Sequence, residues 1–232
     1  EGIARALASN GANVCLVGRT LSKVEAVADD INKAGGSAIA IQCDVKNNDS
    51  INSSIEATVS KFNSLNILIN NAQEVPLGNI LDVTDESFIN GWDSGPLATF
   101  RFMKSCYPHL KGGGKIINLA SSSALRPDSN SYGAYAAVKE SIRSLSRAAA
   151  VEWGPDNILV NCIMPLAKSA GMDWWMNEHP DEANEFLKTI PLGRVGDCKD
   201  DIGQAVCHIL SDGMNYITGS TIMLDGGQAY LR

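Results

Sequence analysis

The chain has 232 residues, 44% of them hydrophobic, and a formal net charge of −7, enough apolar material for one sizeable α/β core and the wrong sign of charge for a nucleic-acid partner. No apolar run reaches the ~20 residues of a membrane span and no basic-then-apolar leader opens the chain, so a soluble, cytoplasmic protein with no membrane partner is expected. The six cysteines, Cys15, Cys43, Cys106, Cys162, Cys198 and Cys207, form no C-x-x-C pair, and His109, His179 and His208 stand apart from them, so reduced thiols and no metal site are expected.

Ile3, Ala4, Leu7 and Ala8 recur at helical spacing and Gly11 follows as a stop, predicting a helix over 1–9. "NVCLVGR" is a nearly continuous apolar run, the pattern of a strand buried on both faces of a parallel sheet. Val24, Val27, Ala28 and Ile31 mark the next helix, Gly35-Gly36 ends it, and "SAIAIQCDV" supplies another strand. Ile51, Ile55, Val59 and Phe62 form a helical stripe before the strand "LNILINNA". The alternation continues with a helix around 97–110, the break "KGGG", the strand "KIINLAS", a long helix over 133–152 and the strand "NILVNCIMP". A helix around 200–211 and the strand "STIMLDGG" close it. This order predicts a single α/β domain over 1–232, a doubly wound Rossmann-type parallel sheet with helices on both faces. The irregular stretch 165–192, carrying "DWWMNEHP", lies just past a strand end, where ligands bind in such sheets. Trp174 and Trp175 there either cover a substrate or pack in a helix or subunit interface.

In "SYGAYAAVKES", Tyr135 precedes Lys139 by one helical turn, so phenol and ammonium share a face. A phenol titrates near ~10, and a neighbouring cation favours its ionised form, toward the range where proton transfer works best. Spacing alone does not separate these roles from the commoner arrangement, a half-buried Tyr beside a solvated Lys.

Seven segments in order decide between them: "CDV" at 43–45, "NNAQ" at 70–73, "IINLASS" at 116–122, Tyr135-x-x-x-Lys139, "VNCIMP" at 160–165, "PLGRVG" at 191–196 and "ITGSTIMLDGG" at 217–227. Through them the whole chain resembles the short-chain dehydrogenase/reductase family. The resemblance implies hydride transfer between a nicotinamide cofactor and a small-molecule secondary alcohol or ketone. It implies Tyr135 as general acid or base, Lys139 holding the nicotinamide ribose and lowering the phenol's pKa, and a serine past "KIINLA" polarising the carbonyl. The cofactor supplies the hydride, so a proton donor, an oxyanion partner and a positioned nicotinamide suffice. Counting from Asn118 selects Ser121; counting the family's usual spacing back from Tyr135 selects Ser122. Strand pairing fixes register while a loop absorbs an extra residue, which favours Ser121. Arg19 follows Gly18 where relatives that prefer NAD usually place Asp, and a guanidinium suits a 2′-phosphate, so NADP is expected. The resemblance further implies Asp44 and Val45 beside the adenine, Asn71 and Ala72 on the adenosine ribose side, and the backbone from Pro165 to Lys168 at the nicotinamide amide.

The sequence departs from the family pattern at several points. The family's first strand and Gly-rich pyrophosphate turn should immediately precede Glu1, and since a central strand cannot be dropped without exposing ladder groups, the intact protein is expected to have both. Gly95 aligns with an Asn that holds a proton-relay water, Gln73 replaces a Gly, Leu166 follows Pro165 in place of Gly, and Ala170 aligns with a Thr. These changes leave open an alternative, a non-catalytic dinucleotide-binding or assembly subunit of the same fold. Ile142, Leu145, Ala148, Ala149 and Val151 spread apolar surface over more than one side of the long helix. In relatives such helices pair across a two-fold axis, so a homo-oligomer, a tetramer or dimer, is expected.

Overall fold

The computed structural model describes residues 1–125 and 132–229. The first half runs α1 (Gly2–Ser9), β1 (Asn13–Gly18), α2 (Leu21–Lys33), β2 (Ser37–Gln42), α3 (Asn48–Phe62) and β3 (Ile67–Asn70). The second runs α4 (Asp85–Trp92), a π turn (Asp93–Leu97), α5 (Ala98–Leu110), β4 (Lys115–Leu119), α6 (Gly133–Trp153) and β5 (Leu159–Pro165). It ends with α7 (Ala170–Glu178), α8 (Pro180–Lys188), a second π turn (Cys198–Gly203), α9 (Gln204–Ile209) and β6 (Thr221–Leu224). Local chemistry sets several of these bounds. Asn47 opens α3 by accepting from the Ser50 amide at 2.9 Å, and Asn63 closes it in the left-handed conformation at φ 57°.

Every strand pair is parallel, as expected for strands joined through helices. The sheet differs from the expected continuous one. Strand order is β1-β2 in one sheet and β3-β4-β5-β6 in another. Among the described residues no strand supplies ladder partners between β1 and β3, so hydrogen bonding stops at both edges. Packing spans the division instead. One apolar cluster joins Val14 of β1 and Ala38 of β2 to Ile117 of β4 and Ile163 of β5, beneath Leu7, Ile31 and Val206 from α1, α2 and α9. On the opposite face Ile51, Phe102, Cys106 and Ala149 from α3, α5 and α6 cover Ile116 and Val160. Consecutive residues Ile116 and Ile117 thus serve opposite faces, which is why β4 reads as an unbroken apolar run.

The stretch 165–192, expected to be irregular, forms α7 and α8. Both carry capping signals, and α8 adds a short apolar stripe of Ala183, Phe186 and Leu187. Ser169 accepts from the Met172 amide at 3.2 Å, and Pro180 starts α8 with Asp181 and Glu182 in its first turn. Trp175 stacks on His179 and meets Phe186 edge-on, so it packs the α7–α8 corner, whereas Trp174 is exposed. The helix expected around 200–211 begins as the second π turn and becomes regular only at Gln204.

The loop from 71 to 84 is fastened to the end of α4 and to the first π turn at three successive points. The Gln73 amide Nε2 donates to the Gly91 carbonyl at 3.1 Å, the Glu74 backbone N–H donates to Ser94 Oγ at 2.9 Å, and buried Pro76 packs against Gly91. Gly91 lies in the last turn of α4, and its carbonyl also accepts from Ser94 Oγ at 3.5 Å. The Gln73 amide fits because Gly95 has no side chain: a Cβ there would lie 2.6 Å from Nε2 and 2.8 Å from Oε1 of Gln73. The loop carboxamide therefore fills the space that a side chain at 95 would take.

This packing sets the sign of a double-mutant cycle. Gly95→Ala gains up to ~1 kcal/mol of helix propensity, but with Gln73 present it expels the amide and breaks its hydrogen bond to the Gly91 carbonyl, at about 1 to 3 kcal/mol. Urea unfolding is expected to show Gly95→Ala destabilising the wild type and stabilising a Gln73→Ala background. The same sign in both backgrounds would contradict the packing.

Candidate active site

Tyr135 and Lys139 lie in the first two turns of α6, beside the carboxyl end of β4. The β3–β4 ladder stops at the pair Asn70–Asn118, one residue short of Leu119, and the Leu119 carbonyl accepts from Lys139 Nζ at 2.7 Å. Lys139 is 4% exposed. Burial pushes its ammonium down to about 8, against a smaller opposing effect of Cys162. The ammonium sits 5.6 Å from the centroid of the Tyr135 ring.

Burial also holds the Tyr135 phenol above its usual range, partly offset by its hydrogen bond to Ser121 and reinforced by Tyr132. This corrects the expectation that Lys139 lowers the phenol's pKa. Desolvation outweighs the other influences on the phenol. Of the two serines, Ser121 is the one whose hydroxyl acts on the Tyr135 phenol, lowering its pKa against the larger effect of burial. The Ser121 hydroxyl accepts from the Ser123 amide at 3.2 Å, while Ser122 begins a short 3-10 turn. Ser131, in the quoted Tyr135 segment, lies outside the described residues.

Behind these groups a buried amide network fixes the strand ends. Asn70 Nδ2 donates to Asn118 Oδ1 at 2.8 Å, and Asn118 Nδ2 donates to Ser146 Oγ of α6 at 2.8 Å. The Cys162 thiol of β5 donates to the same Ser146 oxygen at 3.1 Å. Three strands and the helix bearing Tyr135 are thereby held in register, and every member has a partner, which buried polar groups require.

Arg19, Gln42, Asp44 and Ser50 line a cleft at the ends of β1 and β2. Asp44 is turned inward: its N–H donates to Ser50 Oγ at 3.2 Å and its Oδ1 accepts from the Lys46 amide at 3.0 Å. Val45 is buried, and Asn71 and Ala72 are exposed at the start of the loop after β3. Arg19 Nη1 contacts Glu74 Oε1 at 2.6 Å, and Lys46 Nζ reaches the same oxygen at 3.1 Å. Sequence reasoning missed Glu74 and Lys46, because only folding brings residues 19, 46 and 74 together. After β5 the backbone is tied outward: the Leu166 amide donates to the Leu224 carbonyl at 2.9 Å and the Lys168 amide to the Gly196 carbonyl at 2.8 Å. The Lys168 ammonium pairs with Asp173 at 2.8 Å. Pro165 ends β5 and Ala170 is the first residue of α7.

A family model described as enoyl-(acyl carrier protein) reductase matches residues 1–229. A 12α-hydroxysteroid dehydrogenase from a Clostridium species is 37% identical over 233 residues, covering 97% of this chain and 90% of that protein. A 3-oxoacyl-(acyl-carrier-protein) reductase from Chlamydia trachomatis is 31% identical over 230 residues, covering 98% and 91%. Among solved structures, a short-chain dehydrogenase/reductase from Serratia marcescens superposes with a TM-score of 0.91 at 27% identity, over 99% of this chain and 92% of that one. A dehydrogenase/reductase from Sinorhizobium meliloti gives 0.90 at 29% identity, over 98% and 89%. The two parallel sheets with helices on both faces, the Tyr135–Lys139 pair at the end of β4 and these matches over nearly the whole length lead to one conclusion: the chain belongs to the short-chain dehydrogenase/reductase family.

Proposed function

We propose that the protein interconverts a secondary alcohol and a ketone with NADP(H), using Tyr135 as acid/base, Lys139 as the clamp on the nicotinamide ribose and Ser121 as the carbonyl partner. The family makes the protein an oxidoreductase that moves hydride between a nicotinamide dinucleotide and an alcohol or ketone. The observation that carries the finer assignment is the convergence of Ser121, Tyr135 and Lys139 at the end of β4. When bound, the nicotinamide supplies or accepts the hydride. The protein's share is the proton: the phenol gives it to the forming alkoxide, and the Ser121 hydroxyl is assigned to the same oxygen. The two relatives are named for a hydroxysteroid and a 3-oxoacyl group, so the common ground is the secondary alcohol/ketone pair itself.

For the cofactor, Arg19 and Lys46 already hold an anionic oxygen, that of Glu74, at the cleft where the adenosine end is assigned. Two cations around one oxyanion suit a 2′-phosphate. Asp44, Val45, Asn71 and Ala72 are assigned to the adenosine and the backbone from Pro165 to Lys168 to the nicotinamide amide. Exposed Phe88, Ile89, Trp92 and Phe100 on α4 and α5, with Val151 on α6, favour a homo-oligomer, a dimer or tetramer, that covers these side chains.

Tyr135→Phe keeps the ring and removes the proton donor. Turnover is expected to fall at least ~100-fold with NADPH affinity unchanged within about twofold; retained activity would remove the phenol from the reaction. In the wild type, ketone reduction should stay flat through neutral pH and fall as the raised phenol pKa is approached, while alcohol oxidation rises over the same window.

Lys139→Met tests the cost of burying the ammonium. The folded pKa, lowered from 10.5 to about 8, means that the charged form is penalised in the fold, fully below pH 8 and progressively less up to the unfolded value. The shift corresponds to on the order of 3 kcal/mol, against about 1 to 2 kcal/mol for the Leu119 carbonyl left without its donor. The variant should be inactive yet more stable than wild type at pH 6, with the order reversed near pH 10. Urea midpoints across that range would show it.

Arg19→Asp should weaken NADPH at least about tenfold and NADH far less, since a carboxylate repels a 2′-phosphate but accepts ribose hydroxyls. Equal weakening of the two dissociation constants would reject Arg19 as the phosphate reader.

A further inference from the structure

Glu74 is anchored where a mobile cation must find it. Its backbone N–H is fixed on Ser94 of the π turn at 2.9 Å. Lys46 is held from two sides, its Nζ on Asn90 Oδ1 at 3.1 Å and its carbonyl on Arg101 Nη1 at 2.7 Å. Arg19 differs. Its backbone carbonyl is pinned by Gln42 Nε2 at 3.0 Å, but its side chain is 61% exposed and reaches across to Glu74. The arrangement is a fixed carboxylate, a fixed ammonium and one long guanidinium arm free to swing.

We infer that Glu74 is a specificity-determining residue: an internal anion that occupies the cations a 2′-phosphate needs and so sets, together with Arg19, the preference between NADP(H) and NAD(H). The inference rests on the NADP(H) assignment above. Both cations converge on the single oxygen Oε1, the arrangement that a phosphate oxygen receives from paired basic side chains. The arm cannot serve Glu74 and a 2′-phosphate at full strength together. A nucleotide that carries the phosphate must displace the carboxylate and then sit near its freed charge; one that lacks it does not contest the arm. Glu74 therefore lowers affinity for the phosphorylated form selectively, as an element of discrimination by competing contacts.

The test is calorimetric titration with 2′,5′-ADP and 5′-AMP, which differ only in the 2′-phosphate. Glu74→Gln keeps size and removes charge. It is expected to tighten 2′,5′-ADP about fivefold, the scale of a partly exposed ion pair, and to leave 5′-AMP within about twofold. Glu74→Asp keeps the charge but withdraws it by one methylene, so it should behave like Glu74→Gln if the bridge matters. In an Arg19→Ala background Glu74→Gln should change neither ligand by more than about twofold. Equal tightening of both nucleotides would make Glu74 a general repulsive charge and overturn the inference, as would no change or weaker 2′,5′-ADP binding. Failure of the NADP(H) assignment is read separately, from the wild type and Arg19→Asp with NADPH and NADH.

Discussion

The bond from Lys139 Nζ to the Leu119 carbonyl organises the rest of the site. A carbonyl beyond the end of one ladder is short of a backbone donor on that side, and a buried ammonium needs an acceptor. Each resolves the other's deficit. The bond fixes α6 axially against β4, and one turn earlier the same helix face carries Tyr135 to Ser121. Among the described residues one protein acceptor serves a group with three donors, so the ammonium retains capacity for a bound ligand's hydroxyls. Its lowered pKa comes from burial, and the stability given up there belongs to the site.

Rigidity around that bond comes from polar groups that are individually small. The Asn70–Asn118–Ser146–Cys162 network ties β3, β4, β5 and α6, while Gln73, Glu74 and Pro76 tie the loop after β3 to the π turn. Gly95, with no side chain, leaves the space in which the Gln73 amide reaches the Gly91 carbonyl at the end of α4. What looks like two separate departures from the family pattern, at 73 and at 95, is one packing solution. The remaining cost is local: Gln73 Oε1 is buried with no partner, an acceptor facing an interior that water or a ligand donor can satisfy.

The layers of the fold were legible because buried parallel strands and amphipathic helices have distinct periods, as in "NVCLVGR" beside the Ile51–Ile55–Val59 stripe. Less legible was what depends on caps and long-range pairing. Helices α7 and α8 are short, and α7 is weakly striped, with their boundaries set by Ser169 and Pro180. The division of the sheet between β1 and β3 cannot be read from any one strand, since each satisfies its own pattern. At the site, Tyr135 and Lys139 were visible as a spacing, and strand register pointed to Ser121 as their companion. The sign of the phenol's shift was not visible, because it turns on burial, and adjacency to a cation in sequence says nothing about desolvation. Glu74 and Lys46 were invisible for a related reason: a charge gains meaning from its neighbours across the groove.

The charge balance shows how specificity for an anion can coexist with an acidic chain. A net charge of −7 repels anions at long range, but screening confines that repulsion to about 8 to 10 Å at physiological ionic strength. Within that distance the local arrangement decides. Arg19 and Lys46 meet at one point, so a phosphate gains two charge-assisted contacts there and few elsewhere. Placing a carboxylate between them keeps the cations from attracting small anions indiscriminately and holds Lys46 and Arg19 in convergent orientation. The same carboxylate must then be displaced by the proper ligand. On the proposed reading of the cofactor, a basic point latched by a carboxylate on an acidic chain discourages other anions at a distance and tests the 2′-phosphate at contact.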